Sequence, residues 1–454
     1  MKGLFLGIFK VSGWGNYFLI FILAMVSFFY INKSNPPLSS PDEHYHIVRA
    51  DTLSRGEFIL GHEGDRATGT EIDSSYIEFM KLFNMLGFDK THTSMQAQID
   101  NAKLLYWSDS KTYLESANVA IYFPAIYLPQ SVAIAVGKMS GMSIYNTYML
   151  ARLLTFSLTI AIIIFAWKIH RIPSLAIAIL ALPMSVFQFF AASIDGEIIA
   201  ITVLIMSLYA SLISKNETGR SWRAILIYLL IFIVGTCKAN LAALLIIPFS
   251  LAFIRKDKKH ILYSIITASL IIGWTALAVM GIRDAGGQHG GLSNGQVLSY
   301  YLHHPVEMMS VILGTMTDPF FIKSYAHQFV GVLGWLDIPI PEWCFRLYFL
   351  AILAVALTSL LSVGAWKIKT PGVAMFLAFS ASVFLIFFAL LIQFSPLPAI
   401  RVIGIQGRYF IMPAIVLSYL FYKAPAKREI TVIIVAMLII SVLMIKELIF
   451  THYF

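Results

Sequence analysis

The chain has 454 residues, of which 58% are hydrophobic and only 13% are charged, and its mean hydropathy is +0.78. This composition excludes an ordinary soluble globular domain and is typical of a polytopic membrane protein. The net charge of +9 does not indicate a nucleic-acid partner, because lysine and arginine fall in short clusters between apolar runs. The two cysteines, Cys237 and Cys344, are too far apart in sequence to indicate a metal centre or a disulfide framework.

The sequence contains twelve apolar runs of roughly 16 to 22 residues, each long enough to cross about 30 Å of hydrocarbon. They lie at 14–31, 119–137, 150–168, 172–192, 196–214, 222–237, 239–254, 260–280, 346–364, 372–393, 407–422 and 428–448. The first run lacks a convincing cleavage site and is expected to be a retained helix. The predicted architecture is an all-α polytopic membrane protein, one integral-membrane domain over 1–454 with about eleven or twelve transmembrane helices.

Basic residues between the apolar runs predict the orientation of the chain. They cluster at 167–171, 214–223, 255–260, 367–369 and 423–428. These loops are expected to be cytoplasmic. The two long polar segments, a first extracytoplasmic loop at 32–118 and a second extracytoplasmic segment at 281–345, then face outward.

The count of crossings contains one inconsistency. A cytoplasmic N-terminus places 138–149 inside, whereas counting back from the basic loops places it outside, so one run does not cross. The candidate is 119–137, because Pro124 and Pro129 would break helix hydrogen bonds and favour a bent segment shielded by protein. The first outer loop is expected to carry amphipathic helices, such as 74–88, along the membrane surface.

The stretch SPDE, residues 40–43, closely matches a helix-start signature. Ser40 would be the N-cap, Pro41 would take the first helical position, and Glu43 would reach back as in a capping box. Under this interpretation the acidic residues are only structural, since acids near a helix N-terminus also favour the macrodipole.

A functional interpretation of the same stretch stays open. If Glu43 caps the helix, Asp42 is free, and Asp42, His46 and Arg49 share one helical face. A carboxylate held at a helix end is suited to act as a general base on a substrate hydroxyl. Metal binding by His44 and His46 is a weaker alternative, because no further ligand pair at metal spacing accompanies them.

Ionisable residues in or beside the apolar runs form a second group of candidates, since charges are disfavoured in lipid. Arg152 and Arg408 either meet a partner in a cavity or extend to the interface. Asp195 and Glu197 either line a cavity or form an outward hairpin. Lys238 lies on the predicted outer side, against the positive-inside bias, which favours function. A cavity lined by such cations would suit a phosphate-bearing lipid.

Several motifs together resemble a known family. They are SPDEHYHIVRADTLSRGEF, YFPAIYLPQ, LARLLT, PMSVFQFFAASIDGE, GVLGWLDIPIP and QGRYFIMP. In this order, over about 39–415, they resemble the bacterial membrane-protein family labelled domain of unknown function 2142. That family is similar to the C-type (GT-C) glycosyltransferases.

The resemblance implies a GT-C-like membrane enzyme that uses a polyprenyl-phosphate-linked sugar, with a catalytic acid in its first outer loop. That acid falls on Asp42 or Glu43, and Arg408 of GRYF becomes a candidate for the lipid phosphate. Asp195 matches a position where related enzymes often carry an acid. The HYH that follows Glu43 departs from the family pattern. The full set of predicted substrate-binding residues is His46, Arg49, Arg152, Asp195, Lys238, Asp337 and Arg408.

The predicted reaction is an inverting sugar transfer from the polyprenyl-phosphate donor to a surface or lipid-linked glycan. A phosphate leaving group needs charge stabilisation more than protonation, so one base with one or two cations suffices. The expected partners are the donor, the lipid bilayer and a glycan acceptor such as O-antigen of lipopolysaccharide. No cofactor is assigned, and a divalent metal is left open. The expected location is the bacterial inner membrane, with the active site facing the periplasm or cell exterior.

A transporter or flippase for a lipid-linked glycan is the alternative function, since it also needs many helices and cationic cavities. The long first outer loop and the lack of detectable internal repeats weaken this alternative. A non-catalytic assembly protein is a third class, for which the sequence offers no positive feature.

Overall fold

The computed structural model describes residues 14–84, 94–214, 221–283, 292–362, 370–425 and 427–454. The α-helices are α1 Trp14–Asn32, α2 Glu43–Ser54, α3 Ser74–Asn84, α4 Met95–Lys103, α5 Ala117–Ala120, α6 Leu128–Met139, α7 Ile144–Ile169, α8 Ser174–Leu180, α9 Pro183–Phe189, α10 Asp195–Ser214, α11 Ser221–Cys237, α12 Ile246–Arg255, α13 Lys259–Gly281, α14 Asn294–His303, α15 Pro305–Met316, α16 Pro319–Gly331, α17 Glu342–Ser362, α18 Thr370–Gln393, α19 Ile411–Ser418 and α20 Arg428–Tyr453. Short 3₁₀ helices cover Pro124–Tyr127, Ala239–Leu245, Gly407–Phe410 and Tyr419–Phe421. Two antiparallel pairs complete the described structure, β1 Gly69–Asp73 with β2 Lys111–Glu115 and β3 Val332–Leu333 with β4 Ile338–Pro339.

Seven helices in the described ranges are long and apolar enough to cross a membrane, namely α1, α7, α10, α13, α17, α18 and α20. Four shorter apolar helical stretches accompany them, Trp222–Cys237, Ala239–Arg255, Pro305–Met316 and Gly407–Phe421. The prediction of an all-α multi-pass membrane protein is therefore confirmed. Helix dominates because every backbone polar group in lipid must find its partner within the segment.

Prolines divide two of the twelve apolar runs. The 119–137 run is split into α5, a 3₁₀ turn that begins at Pro124, and α6, whose first turn holds Pro129. The predicted bend in this run is confirmed, and the prediction that the run does not cross the membrane stays a prediction. The expectation of one helix over 172–192 is wrong, because Pro183 starts a new helix, α9, after α8 has ended. Proline suits a first turn, where its missing N–H has no partner to lose.

Helix α10 lies at the centre of the bundle, with 94% of its span buried. It packs against α7, α11 and α19. Gly196, in its first turn, lies so close to the preceding segment that an added Cβ would come within 2.7 Å of the Gln188 carbonyl oxygen. The N-terminus of α10 is thereby fixed inside the protein, where it presents Asp195.

Ion pairs and hydrogen bonds bring several helix ends together at one end of the bundle. Arg152, near the start of α7, donates from Nη1 to Asn32 Oδ1 at the end of α1 over 3.2 Å. Lys238, just after α11, lies 3.0 Å from Asp195 at the start of α10. The helices α7 and α10 run from this end to Ile169 and Ser214. The far end of α7 carries Lys168, and Arg223 donates to Ser211 near the far end of α10. The charged candidates and these basic residues thus lie at opposite ends of the same helices.

The described part of the 32–118 segment is folded against the bundle. Tyr76, Phe79 and Phe83 on α3 are buried, and the Phe79 ring lies 5.7 Å from Tyr148 of α7. The amphipathic helix predicted over 74–88 is present over 74–84, and 85–88 lies outside the described residues. The apolar face of α3 packs on protein, and the expected place of this helix along the membrane surface stays a prediction.

Helix α2 starts later than SPDE predicts. Its first residue is Glu43, and Asp42 precedes it in the left-handed region with φ of 61°. Glu43 Oε2 does accept a hydrogen bond from the Ser40 backbone N–H at 3.2 Å, which is half of a capping box. The Ser40 hydroxyl has no hydrogen-bond partner among the described residues. The prediction of Ser40 as N-cap is therefore wrong, because the left-handed turn at Asp42 intervenes.

Glu43 and Arg152 form a fully buried ion pair, with both side chains 0% exposed. Glu43 Oε1 lies 3.2 Å from Arg152 Nε and accepts from the Ala192 N–H at 2.6 Å. Arg152 also donates to the carbonyls of Asn35 and Pro36 at 2.9 and 2.8 Å. The pair connects the 35–43 segment to α7 and to the chain that leads into α10.

Glu43→Gln and Arg152→Met are each expected to lower the free energy of unfolding by roughly 3–5 kcal/mol, because each leaves one charge buried without its partner. The melting temperature of the detergent-solubilised protein measures this. Glu78→Gln is the control, since Glu78 forms an exposed pair with Lys81 on α3 and its loss should leave the melting temperature unchanged. Equal melting temperatures for all variants would contradict a structural role for the buried pair.

Candidate active site

Three charged side chains from distant parts of the chain meet at the N-terminus of α10. Lys238 Nζ lies 3.0 Å from Asp195 Oδ1, and Arg408 Nη1 lies 3.4 Å from Asp195 Oδ2. The three side chains are between 4% and 16% exposed. Breaks in helical structure bring the two cations here, since Lys238 follows the end of α11 and Arg408 lies in a 3₁₀ helix before α19. Of the two alternatives left open for Arg408, a partner within the protein is the one observed, and that partner is Asp195.

Asp42 is the exposed member of this group. Its Oδ2 lies 3.7 Å from Arg408 Nη2, and its side chain is 47% exposed whereas that of Arg408 is 4% exposed. Within the described residues, Arg408 Nε and Nη1 are buried without a hydrogen-bond partner. The site therefore offers a reachable carboxylate beside a buried guanidinium that retains donor capacity. A guanidinium has five N–H donors, so Arg408 can donate to a phosphate while it keeps its ion pairs.

Two tyrosines that were not among the predicted site residues pack against the cations. The Tyr409 ring centroid lies 5.4 Å from Lys238 Nζ and 5.6 Å from the Arg408 guanidinium carbon. Tyr122 lies 6.0 Å from Lys238 Nζ. These distances allow cation–π attraction that keeps both cations in place. The only sequence signal for Tyr409 was its place in GRYF beside Arg408.

His46 lies one helical turn after Asp42 and is buried. Its Nδ1 is 2.8 Å from the Tyr127 hydroxyl, and its ring lies 6.0 Å from that of Tyr122. Burial lowers the pKa of His46 to about 4, against the opposing effect of Asp42 and Asp195. The imidazole is therefore neutral at pH 7 and adds no charge to the site.

The remaining predicted residues have other partners. Glu43 and Arg152 form the buried pair described above. Arg49, which was expected to share a face with Asp42, donates to the Glu57 and Phe58 carbonyls at 3.2 and 2.6 Å and is 0% exposed. Asp337 lies 3.5 Å from His452 Nε2. Glu197, in the first turn of α10, is buried and accepts a hydrogen bond from Gln130 at 3.3 Å.

The described residues contain no group of three or more histidine, cysteine or acidic side chains that could hold a metal ion. His44 and His46, the pair considered for metal binding, have different surroundings. His44 packs 4.1 Å from the Tyr45 ring and 5.5 Å from Trp335, whereas His46 packs between Tyr122 and Tyr127.

Comparisons with known proteins place the chain in a family. No curated protein matches it significantly. Among solved structures, the crystal structure of ArnT from Cupriavidus metallidurans bound to undecaprenyl phosphate is similar with a TM-score of 0.36 and 12% identity, over 95% of this chain and 78% of that chain. The profile described as predicted membrane protein (DUF2142) matches residues 21–418, and the chain therefore belongs to this family of membrane proteins.

Proposed function

We propose that the chain is a C-type membrane glycosyltransferase that moves a sugar from a polyprenyl-phosphate donor to a glycan acceptor, with inversion. The observation that carries the proposal is the exposed Asp42 carboxylate 3.7 Å from Arg408, whose buried Nε and Nη1 lack hydrogen-bond partners. The site thus places a candidate base, Asp42, beside a candidate phosphate-binding residue, Arg408. The family resemblance in the sequence supports the choice of donor class.

The cations are suited to the leaving group. When the bond between the anomeric carbon and the phosphate oxygen breaks, negative charge accumulates on the phosphate. Arg408 would donate to the phosphate oxygens, and Lys238 would add a point charge. Asp195 contacts both cations and fixes their positions before the reaction. Cations that are already oriented stabilise the developing charge without reorganisation during the reaction.

Asp42 is the better candidate for the base than Glu43. Both oxygens of Glu43 are engaged by Arg152 and by the backbone N–H groups of Ala192 and Ser40. Glu43 is also 0% exposed, so it would not reach an acceptor hydroxyl. Asp42 would take the acceptor proton while the acceptor oxygen bonds to the anomeric carbon and the phosphate departs from the opposite face. This displacement inverts the anomeric centre.

The proposed location is the bacterial inner membrane, with the site facing the periplasm or cell exterior. It is supported by the basic clusters at the other end of α7 and α10, which the positive-inside bias assigns to the cytoplasm. Donor and acceptor would then meet at the outer leaflet. A surface glycan such as O-antigen is the proposed acceptor, on the basis of the family resemblance alone.

Asp42→Asn is expected to lower sugar transfer at least ~100-fold, because it removes the proton acceptor and keeps the shape of the side chain. The mass profile of the surface glycan is compared in cells that produce wild type or variant, with equal membrane levels established by immunoblot. Asp109→Asn is the matched control, since Asp109 is an exposed acid of the same outer loop. It should retain the wild-type profile.

The glycan profile also separates the proposal from the transport alternative. If wild type adds no sugar and lipid-linked precursors accumulate on one leaflet when the protein is absent, the chain is a transporter and the proposal is wrong. If Asp42→Asn transfers sugar at the wild-type rate, Asp42 is not the base.

Arg408→Gln is expected to weaken binding of undecaprenyl phosphate about tenfold or more, because it removes a charge-assisted contact to the phosphate. Native mass spectrometry of the purified protein with added lipid measures the bound fraction. Arg346→Gln on α17 is the control, since Arg346 is 73% exposed and contacts only Glu342 among the described residues. Equal binding by both variants would exclude Arg408 as the phosphate ligand.

A further inference from the structure

The segment GWLD, residues 334–337, forms a strained turn that the reaction proposed above does not use. It connects the short strands β3 and β4. Gly334 and Leu336 both have positive φ, of 61° and 66°. An added Cβ at Gly334 would collide with the Asp337 carboxylate. The turn therefore holds Trp335 and Asp337 in defined positions.

Trp335 holds this turn against the segment that carries Asp42. Its Nε1 donates a hydrogen bond to the Leu38 carbonyl at 3.0 Å, and its ring centroid lies 5.5 Å from that of His44. Leu38 and His44 stand on either side of Asp42 in the chain. A residue almost 300 positions away thus contacts the chain both before and after the candidate base.

Backbone strain is concentrated at this contact. In the described ranges, the non-glycine residues with positive φ are Leu38, Asp42, Lys256 and Leu336. Three of these four belong to the two segments that Trp335 joins. Strained backbone of this kind persists where the surrounding structure fixes it, and it is concentrated at ligand and active sites.

The groups of this turn, together with the buried His44 of α2 that packs on it, match the chemistry of a sugar ring. Trp335 is 37% exposed and offers part of an aromatic face. The Asp337 side chain is 39% exposed and can accept hydrogen bonds from hydroxyl groups. His44 is 8% exposed, and its Nδ1 has no hydrogen-bond partner within the described residues. A pyranose ring has two faces of C–H groups, which pack on aromatic rings. It also has hydroxyl groups around its rim, which form hydrogen bonds.

We propose that Trp335, Asp337 and His44 form a subsite for an uncharged pyranose ring of the glycan acceptor. The assignment to the acceptor rests on the proposed function, in which Arg408 holds the donor phosphate on one side of Asp42. The aromatic subsite would then hold the other substrate beside the same carboxylate. The carboxylate of Asp337 disfavours acidic sugars, which is why the ring is uncharged.

The test uses the full chain in lipid nanodiscs and measures binding by saturation-transfer NMR. The probes are methyl α-D-glucopyranoside, methyl α-D-galactopyranoside and methyl α-L-rhamnopyranoside, with the open-chain polyol sorbitol as a negative control. At least one pyranoside is expected to bind, and sorbitol is not. Trp335→Ala should weaken that binding about fivefold, the size expected for loss of one aromatic contact. Trp343→Ala is the matched control, since Trp343 is 66% exposed on the neighbouring helix α17.

Trp335→Phe and Asp337→Asn keep the test decisive if Trp335→Ala does not fold. The Phe variant retains a ring and should retain most of the binding, whereas Asp337→Asn should weaken it. Wild-type binding by both Trp335→Ala and Asp337→Asn would overturn the subsite, as would the absence of any pyranoside binding to wild type. Displacement of the pyranoside by undecaprenyl phosphoglucose would overturn the acceptor assignment, because the donor sugar would then occupy the subsite.

These outcomes are distinct from a failure of the proposed function. Asp42→Asn should retain pyranoside binding while it loses sugar transfer. Pyranoside binding by a wild-type protein that transfers no sugar would contradict the proposed function and leave the sugar subsite standing. Sugar transfer that is insensitive to Trp335 and Asp337 would contradict the subsite alone.

Discussion

The arrangement of the end of the bundle that holds the charged site depends on one buried ion pair, between Glu43 and Arg152. Arg152 donates to the carbonyls that follow α1, and Glu43 accepts from the backbone N–H that precedes α10. Neither charge has contact with water, so each depends on the other for its solvation. The pair holds the 35–43 segment in place, and Asp42 is the residue immediately before Glu43 in that segment. The position of Asp42 at the surface follows from the burial of Glu43.

Interruptions of helical structure supply the other members of the site. A continuous helix through Lys238 or Arg408 would satisfy its backbone groups internally but would leave a long cationic side chain in the bundle or lipid. Both residues instead lie at junctions with 3₁₀ helices, and both meet Asp195. Gly407 permits this at Arg408, because an added Cβ would collide with the backbone of α16. The turn before Arg408 is therefore packed directly on a neighbouring helix.

The ion pairs of the site are arranged so that an anionic ligand can replace one of them. Lys238 and Arg408 are opposed by Asp195 and Asp42, so the group is formally neutral before any substrate binds. An incoming phosphate would compete with Asp42 for Arg408, since that contact is the longest and most exposed of the three. Such competition would release the Asp42 carboxylate as the phosphate binds. The proposed base would then become free only when the donor is bound. The aromatic contacts from Tyr409 and Tyr122 would hold the cations during this exchange.

The sequence alone determined the membrane class, the approximate spans and the broken 119–137 run, because hydropathy and proline act over a few residues. It also identified SPDE, GWLD and GRYF as segments of the motifs that carry the family resemblance. It could not choose between Asp42 and Glu43, since the arginine that buries Glu43 is 109 positions away. Helical spacing likewise placed Arg49 on the same face as Asp42. In the structure, the Arg49 guanidinium instead donates hydrogen bonds to the carbonyls of Glu57 and Phe58, where the chain folds back against it. Only the tertiary structure decided which charges are paired inside and which one stays exposed, because desolvation depends on neighbours that are remote in sequence.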